Sequence, residues 1–143
     1  MKQFAWAVLT LGLAGVVSSP ANAQDVGREE RPIVQLDQNY PNPFNPETTI
    51  PFTLSRELWD LGDRPLVTLR IYNVLAQLVA VPVLQGTGEA LEGVELDWNG
   101  TGSFAAYWDG KVRGTDREAA SGVYVYQISV NGHTATRRMT IIK

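Results

Sequence analysis

The sequence contains no cysteine and a single histidine, His133, among its 143 residues. Without cysteine the chain has neither disulfides nor thiol chemistry, so a folded domain depends on its hydrophobic core. A single histidine disfavours zinc, whose usual protein ligands are cysteine and histidine. A serine-hydrolase triad would depend on that one residue, which the pattern places at the tip of a turn. We therefore expect a protein that is not an enzyme and needs no cofactor.

Long apolar runs are also scarce, and the longest lies at the N-terminus. Residues 4–17 carry no charge, follow Lys2 and precede Pro20, and Ala21-Asn22-Ala23 fits a small-x-small cleavage site. The run is shorter than the roughly 20 residues that span a bilayer. We expect residues 1–23 to be a cleavable signal peptide, and the exported chain to have no membrane span.

Positive charge is too sparse for nucleic-acid binding. The net charge is −3, whereas a nucleic-acid-binding domain normally carries a basic stripe. The charge is uneven, however, because no acidic residue follows Glu118, and Arg137, Arg138 and Lys143 make the end of the chain basic. The middle of the chain is acidic, through Glu89, Glu92, Glu95 and Asp97.

Seven segments show the apolar alternation or apolar enrichment of β-strands. They are residues 50–54, 67–71, 77–84, 94–98, 104–108, 123–130 and 133–142. Pro51 and Pro82 lack a backbone donor, which favours edge strands or strands free on that side. We predict an all-β fold, an immunoglobulin-like antiparallel sandwich of about seven strands over residues 36–143. Residues 24–35 are polar and lack periodicity, which predicts a flexible leader.

The last two strands are predicted to form a hairpin around Asn131-Gly132, because this pair suits a two-residue turn. That register places Val130 opposite His133 and Tyr126 opposite Arg137. It gives Tyr126 a place in the core and brings Arg137 within reach of a cation–π contact with its ring.

A proline-rich segment opens the predicted domain. Residues 40–46 contain three prolines, which make the chain rigid and extended. Asn42 and Asn45 each precede a proline and are typical of capped turns. We expect Tyr40 and Phe44 to plug one end of the core.

Five blocks in order over residues 36–143 resemble a known domain. They carry the residues Asn39, Tyr40, Pro41, Asn42, Pro43, Phe44, Asn45 and Pro46, then Tyr72 and Asn73, then Trp108, Asp109 and Gly110, then Ser121, Gly122, Tyr124 and Tyr126, and finally Arg137, Arg138, Met139 and Lys143. Together they resemble the type A C-terminal sorting domain of the type IX secretion system. The chain is equally similar to the Ig-like domain of the flagellar hook-capping protein. Glycine is more usual in the family at Ala76.

The resemblance implies a delivery function. Such a domain is recognised in the periplasm by outer-membrane secretion machinery, and a surface sortase then acts on it, so the protein reaches the cell surface or the medium. Arg137, Arg138, Met139 and Lys143 would contact that machinery, or the cations would instead be the usual charge that keeps an edge strand from aggregating. In the family the domain trails a cargo, for which residues 24–35 leave no room.

Two other interpretations of the function stay open, sugar binding and self-assembly. The predicted sandwich is small but has four large aromatic residues, Trp59, Trp98, Tyr107 and Trp108. Carbohydrate-binding modules stack sugar rings on such side chains, although the same residues also suit a core and its ends. Edge strands that pair between copies would instead make a self-assembling surface or filament subunit.

Calcium is a weaker hypothesis. Asp109 and Asp116 offer carboxylate oxygens from loops, but no run of alternating acids accompanies them. Asp109 also suits a cap for its own turn.

Overall fold

A computed structural model describes residues 31–143. The predicted signal peptide and most of the predicted leader lie outside these residues. The described part is all-β, with two antiparallel sheets and one short 3₁₀ turn at Arg56–Trp59. Its strands are β1 Val34–Leu36, β2 Thr48–Leu54, β3 Leu66–Tyr72, β4 Leu78–Ala80, β5 Val83–Leu84, β6 Val94–Glu95, β7 Ser103–Trp108, β8 Gly122–Val130 and β9 His133–Ile141.

The first sheet has the strand order β1-β2-β7-β5. The second has the order β4-β3-β8-β9, with β6 also pairing with β3. One side of β3 is paired along its length with β8, while its other side is shared by β6 near Leu66 and β4 near Tyr72.

Alternating residues of both sheets form a single buried core. In β2 the buried apolar side chains are Ile50, Phe52 and Leu54, and in β8 every second residue from Tyr124 to Val130 is buried. This period of two is the pattern of strands that pack one face on a core, so the described residues have a β-sandwich-like arrangement.

The folded part begins earlier than predicted. Val34 and Leu36 are buried and pair with Leu54 and Phe52, so β1 begins in the last two residues of the segment expected to be a flexible leader. The nine strands of the described region also exceed the expected seven. The difference arises because β1 was not predicted and because the segment 77–84 forms two strands.

The segment 77–84 crosses from one sheet to the other. β4 is the edge of the second sheet and β5 the edge of the first, with Val81 and Pro82 between them. The edge position suggested by Pro82 is therefore confirmed, since both strands of the segment are edge strands. The prediction that residues 77–84 form one continuous strand is wrong.

Pro51 does not mark an edge strand, because β2 has neighbours on both sides. The carbonyl of Pro51 accepts a hydrogen bond of 3.0 Å from the amide of Asp37, so its nitrogen points to the same side. Pairing with β1 has already ended at Leu36, and the next bridge joins Tyr40 to Thr49. The proline is tolerated because it faces this interruption, where no amide donor is needed.

The register of the final hairpin is confirmed. Val130 pairs with His133 and Tyr126 with Arg137 across the Asn131-Gly132 turn. The cation–π contact that this register made possible is not formed, and the Nε of Arg137 instead donates to the carbonyl of Leu36. Within residues 31–143 the cation–π contact is that of Arg56 over Trp98.

Candidate functional site

The proline-rich segment is held by a buried polar network. Asn39 and Thr48 are each 2% exposed. The amide of the Asn39 side chain donates to the carbonyl of Pro41 at 3.1 Å and to Oγ1 of Thr48 at 3.0 Å. The hydroxyl of Tyr126 accepts the backbone N–H of Asn39 at 3.0 Å. Because unsatisfied buried polar groups are costly, this network fixes the chain just before the prolines.

Phe44 plugs the core as predicted, and Tyr40 does not. Phe44 is 2% exposed and meets Trp108 edge-on at 5.6 Å between ring centroids. Trp108 in turn meets Tyr124 edge-on at 5.9 Å. Tyr40 is 58% exposed, since its backbone bridges Thr49 and its side chain turns outward. Three of the five blocks therefore contribute one aromatic ring each to the same cluster.

The turn after Trp108 packs against the end of the proline-rich segment. Gly110 has φ +84°, and a Cβ there would lie 2.1 Å from the carbonyl oxygen of Pro46. Asp109 accepts the amide of Lys111 at 2.9 Å and so caps its own turn. Nothing larger than glycine fits this contact without a shift of backbone.

The same segment covers the outer edge of the last strand. Phe44 donates its amide to the carbonyl of Thr140 and accepts the amide of Ile142, both at 3.1 Å. The side chain of Asn42 accepts the amide of Thr140 at 3.1 Å. We call residues 42–44 the edge strap. The outer edge of β9 is therefore already occupied over its last residues and is not free there for pairing with another strand.

The four residues predicted to contact a partner differ in position. Arg138 is exposed, whereas Met139 is 1% exposed and belongs to the core, so a direct contact by its side chain in the folded domain is wrong. Arg137 is tied to Leu36, and Lys143 lies 3.4 Å from a carboxylate oxygen of Glu118. The amide of Lys143 also donates to Oγ of Ser121 at 3.1 Å. Arg138 is the residue of this group whose side chain is left for a partner.

The second block forms a tight turn between β3 and β4. Oδ1 of Asn73 accepts the amides of Leu75 at 2.9 Å and Gln77 at 3.0 Å. Ala76 has φ +62°, a conformation that glycine adopts without strain. This explains why glycine suits the position. The turn leaves Val74 and Leu75 each 74% exposed.

An outward apolar surface on the second sheet was missed by the sequence reasoning. Tyr72, Val123 and Val125 face away from the core, and Val123 is 43% exposed. The signal was present, because residues 123–126 are apolar without alternation, and a strand with one solvated face normally alternates.

The aromatic residues weighed for sugar binding do not form an open platform. Trp108 is buried, while Trp59 and Trp98 are half-buried and meet edge-on at 5.1 Å. Arg56 lies over the Trp98 ring, and Trp59 donates its Nε1–H to the carbonyl of Leu96 at 2.9 Å. Tyr107 lies apart and donates to Glu47. The tryptophan pair closes one end of the core rather than presenting free ring faces.

The acidic middle of the chain is largely paired. Arg64 binds Glu95 at 2.6 Å and Asp97 at 3.0 Å, and Glu92 lies within ion-pair distance of Arg70 and Arg113. In the region from 31 to 143 no group of three acidic or histidine side chains is close enough to hold a metal ion. Asp116 lies in the charged loop after Gly114 and is exposed. His133 is exposed at the hairpin tip.

The sequence matches no family profile, and no curated protein or solved structure is significantly similar to it. Among the described residues, no helix is long and apolar enough to cross a membrane.

Proposed function

We propose that residues 32–143 form a non-catalytic, immunoglobulin-like sorting and anchoring domain that directs export across the outer membrane by a type IX-like pathway. The observation that carries the proposal is the convergence of four motif blocks at one end of the fold. Phe44, Trp108 and Tyr124 share one aromatic cluster, and the backbone of Phe44 pairs with the last strand. Blocks that are far apart in sequence thus cooperate to hold the C-terminal strand.

The arrangement supports a signal read from the folded surface. Met139 and Ile141 are buried, so the last strand is an integral part of the core. Arg138 points outward from that strand without a carboxylate partner among residues 31–143. A rigid strand that presents a free cation at its surface offers charge complementarity to an acidic partner.

The test is a fluorescent cargo carrying an export signal at its N-terminus and residues 32–143 at its C-terminus. It is expressed in a bacterium with an intact type IX pathway and in a pathway-deficient strain, beside cargo with the export signal alone. We expect fluorescence at the surface or in the medium only when the domain and the pathway are both present. Periplasmic retention of the fusion in both strains would contradict the proposal.

A truncation would not locate the signal. Deleting residues 137–143 removes the buried Met139 and Ile141, so lost export would report unfolding. The surface variant Arg138→Glu avoids this, with Arg117→Glu as its matched control, since Arg117 is also exposed but lies in a loop outside the last strand. Export reduced by the first variant alone would place the recognised charge on β9.

A further inference from the structure

The outward face of the second sheet carries a groove beside the last strand. Its volume is about 360 Å³, and its lining is mainly apolar. The residues that line it are Tyr72, Asn73, Val74, Ala76, Val125 and Gln127, with Thr136 at its margin. It lies on the opposite face from the core, so nothing within the described domain covers it.

One row of residues crosses all four strands next to this groove. Leu78 pairs with Tyr72, Tyr72 with Val125, and Val125 with Arg138. The neighbouring row is polar, since Arg70 pairs with Gln127 and Gln127 with Thr136. The outward apolar side chains of Leu78, Tyr72 and Val125 thus lie next to one another along this row, which continues into the adjoining turn. A contiguous apolar patch of this kind is typical of interaction sites.

The adjoining turn presents two more apolar side chains in a fixed conformation. Val74 and Leu75 are each 74% exposed, and the side chain of Asn73 holds the turn through the amides of Leu75 and Gln77. A preorganised surface loses less conformational entropy on binding than a flexible one.

Charge decides which partner fits. Arg138 ends the row, and no carboxylate of residues 31–143 lies within ion-pair distance of it, in contrast to Arg64, Arg70 and Arg113. The chain has no acidic residue after Glu118. Arg138 does not line the groove, but it is the cross-strand neighbour of Val125, which does. An apolar groove with a free guanidinium beside it is complementary to an apolar side chain followed by a carboxylate.

We infer that this groove docks an extended segment of a partner protein in which apolar residues alternate with acidic ones. The apolar side chains would pack on Val74, Tyr72 and Val125, and a carboxylate would pair with Arg138. The inference rests on the proposed sorting function and gives the chemistry of the partner that recognises the domain.

The experiment is a titration of the full ¹⁵N-labelled chain, followed by amide chemical shifts. The probes are an alternating Leu/Glu peptide, a Leu/Lys peptide and a Ser/Glu peptide of the same length. We expect the Leu/Glu peptide alone to shift the amides of Val74, Val125 and Arg138. Arg138→Glu should lower the affinity for the Leu/Glu peptide about fivefold, as expected for the loss of an exposed ion pair. The same variant should raise the affinity for the Leu/Lys peptide. Arg117→Glu should leave the affinities for both peptides unchanged.

Absence of Leu/Glu binding, shifts confined to residues outside the groove, or equal affinity for Arg138→Glu would each overturn the inference. The outcome is independent of the secretion assay. Cargo exported by the unsubstituted domain without peptide binding in the groove would refute only the docking inference. Peptide binding without export would refute only the sorting function.

Discussion

The hydroxyl of Tyr126 donates a 2.8 Å hydrogen bond to the backbone carbonyl of Asp37, 89 residues earlier in the chain. The same hydroxyl accepts the amide of Asn39 at 3.0 Å. A core tyrosine of the second sheet therefore fixes the entry of the proline-rich segment beside the first sheet. This bond joins the start of the domain to its penultimate strand.

Removal of that hydroxyl should destabilise the fold. Tyr126→Phe leaves the amide of Asn39 and the carbonyl of Asp37 without their partner, at an expected cost of about 1–3 kcal/mol. Tyr124→Phe is the control, because its hydroxyl makes one bond, to the carbonyl of Ala120, and we expect about 0.5–1.5 kcal/mol there. Urea unfolding measures both. A smaller loss for Tyr126→Phe than for Tyr124→Phe would contradict this role.

Stability should fall at alkaline pH. Burial raises the pKa of Tyr126 above its ordinary value of 10.0, and burial also raises the pKa of Tyr124. The folded state holds these protons where the unfolded state has released them, so the stabilisation is complete below about pH 10 and is lost as pH rises further. Urea midpoints measured across this range should show the decline, and it should be shallower in Tyr126→Phe. An equally steep fall of stability with pH in that variant would exclude Tyr126 as a cause of the alkaline destabilisation.

Ala76→Gly should stabilise the domain slightly. Relief of the left-handed conformation at φ +62° is worth about 1–2 kcal/mol, and greater freedom of the unfolded chain offsets about 0.4–1 kcal/mol of it. Thermal unfolding checks the sign. Ala120→Gly, at a position without positive φ, should instead destabilise by about 0.4–1 kcal/mol. A loss of stability in both variants would refute the strain at Ala76.

Gly110→Ala should be much more harmful than Gly114→Ala. Both glycines have positive φ, but a Cβ at Gly110 meets the carbonyl of Pro46 at 2.1 Å, while a Cβ at Gly114 meets nothing within 4 Å. Gly114→Ala, the control, should lower the free energy of unfolding by about 1–2 kcal/mol because of its backbone conformation. Gly110→Ala should lower it by more, because the backbone must also move. Equal denaturation midpoints for the two variants would rule out this contact.

The edge strap should be visible in hydrogen exchange. The amide of Thr140 is bonded to the side chain of Asn42, so Asn42→Ala should accelerate its exchange while Met139, which pairs with Tyr124, stays protected. Outward amides at Thr134 and Thr136 should exchange rapidly in both proteins, because these residues lie beyond the strap. Strong protection at Thr134 and Thr136 would show that another segment covers that edge.

The period-two patterns and the Asn131-Gly132 turn were sufficient to predict the all-β class and the register of the final hairpin. Those features depend on neighbours in sequence, where side-chain alternation and turn geometry act directly. The first strand was missed because it has only three residues and borders a polar segment, and the sheet change between Ala80 and Val83 was missed because the two residues of β5 continue the apolar stretch of β4.

Only the tertiary structure decided which motif residues share a site. It brought Phe44 to Trp108 and to the backbone of Thr140, buried Met139, tied Arg137 to Leu36 and left Arg138 free beside an apolar groove. The sequence by itself determined that the chain ends in a basic strand. All three cations are exposed, but which of them is left without a partner depends on packing between strands distant in sequence, and local pattern does not encode that packing.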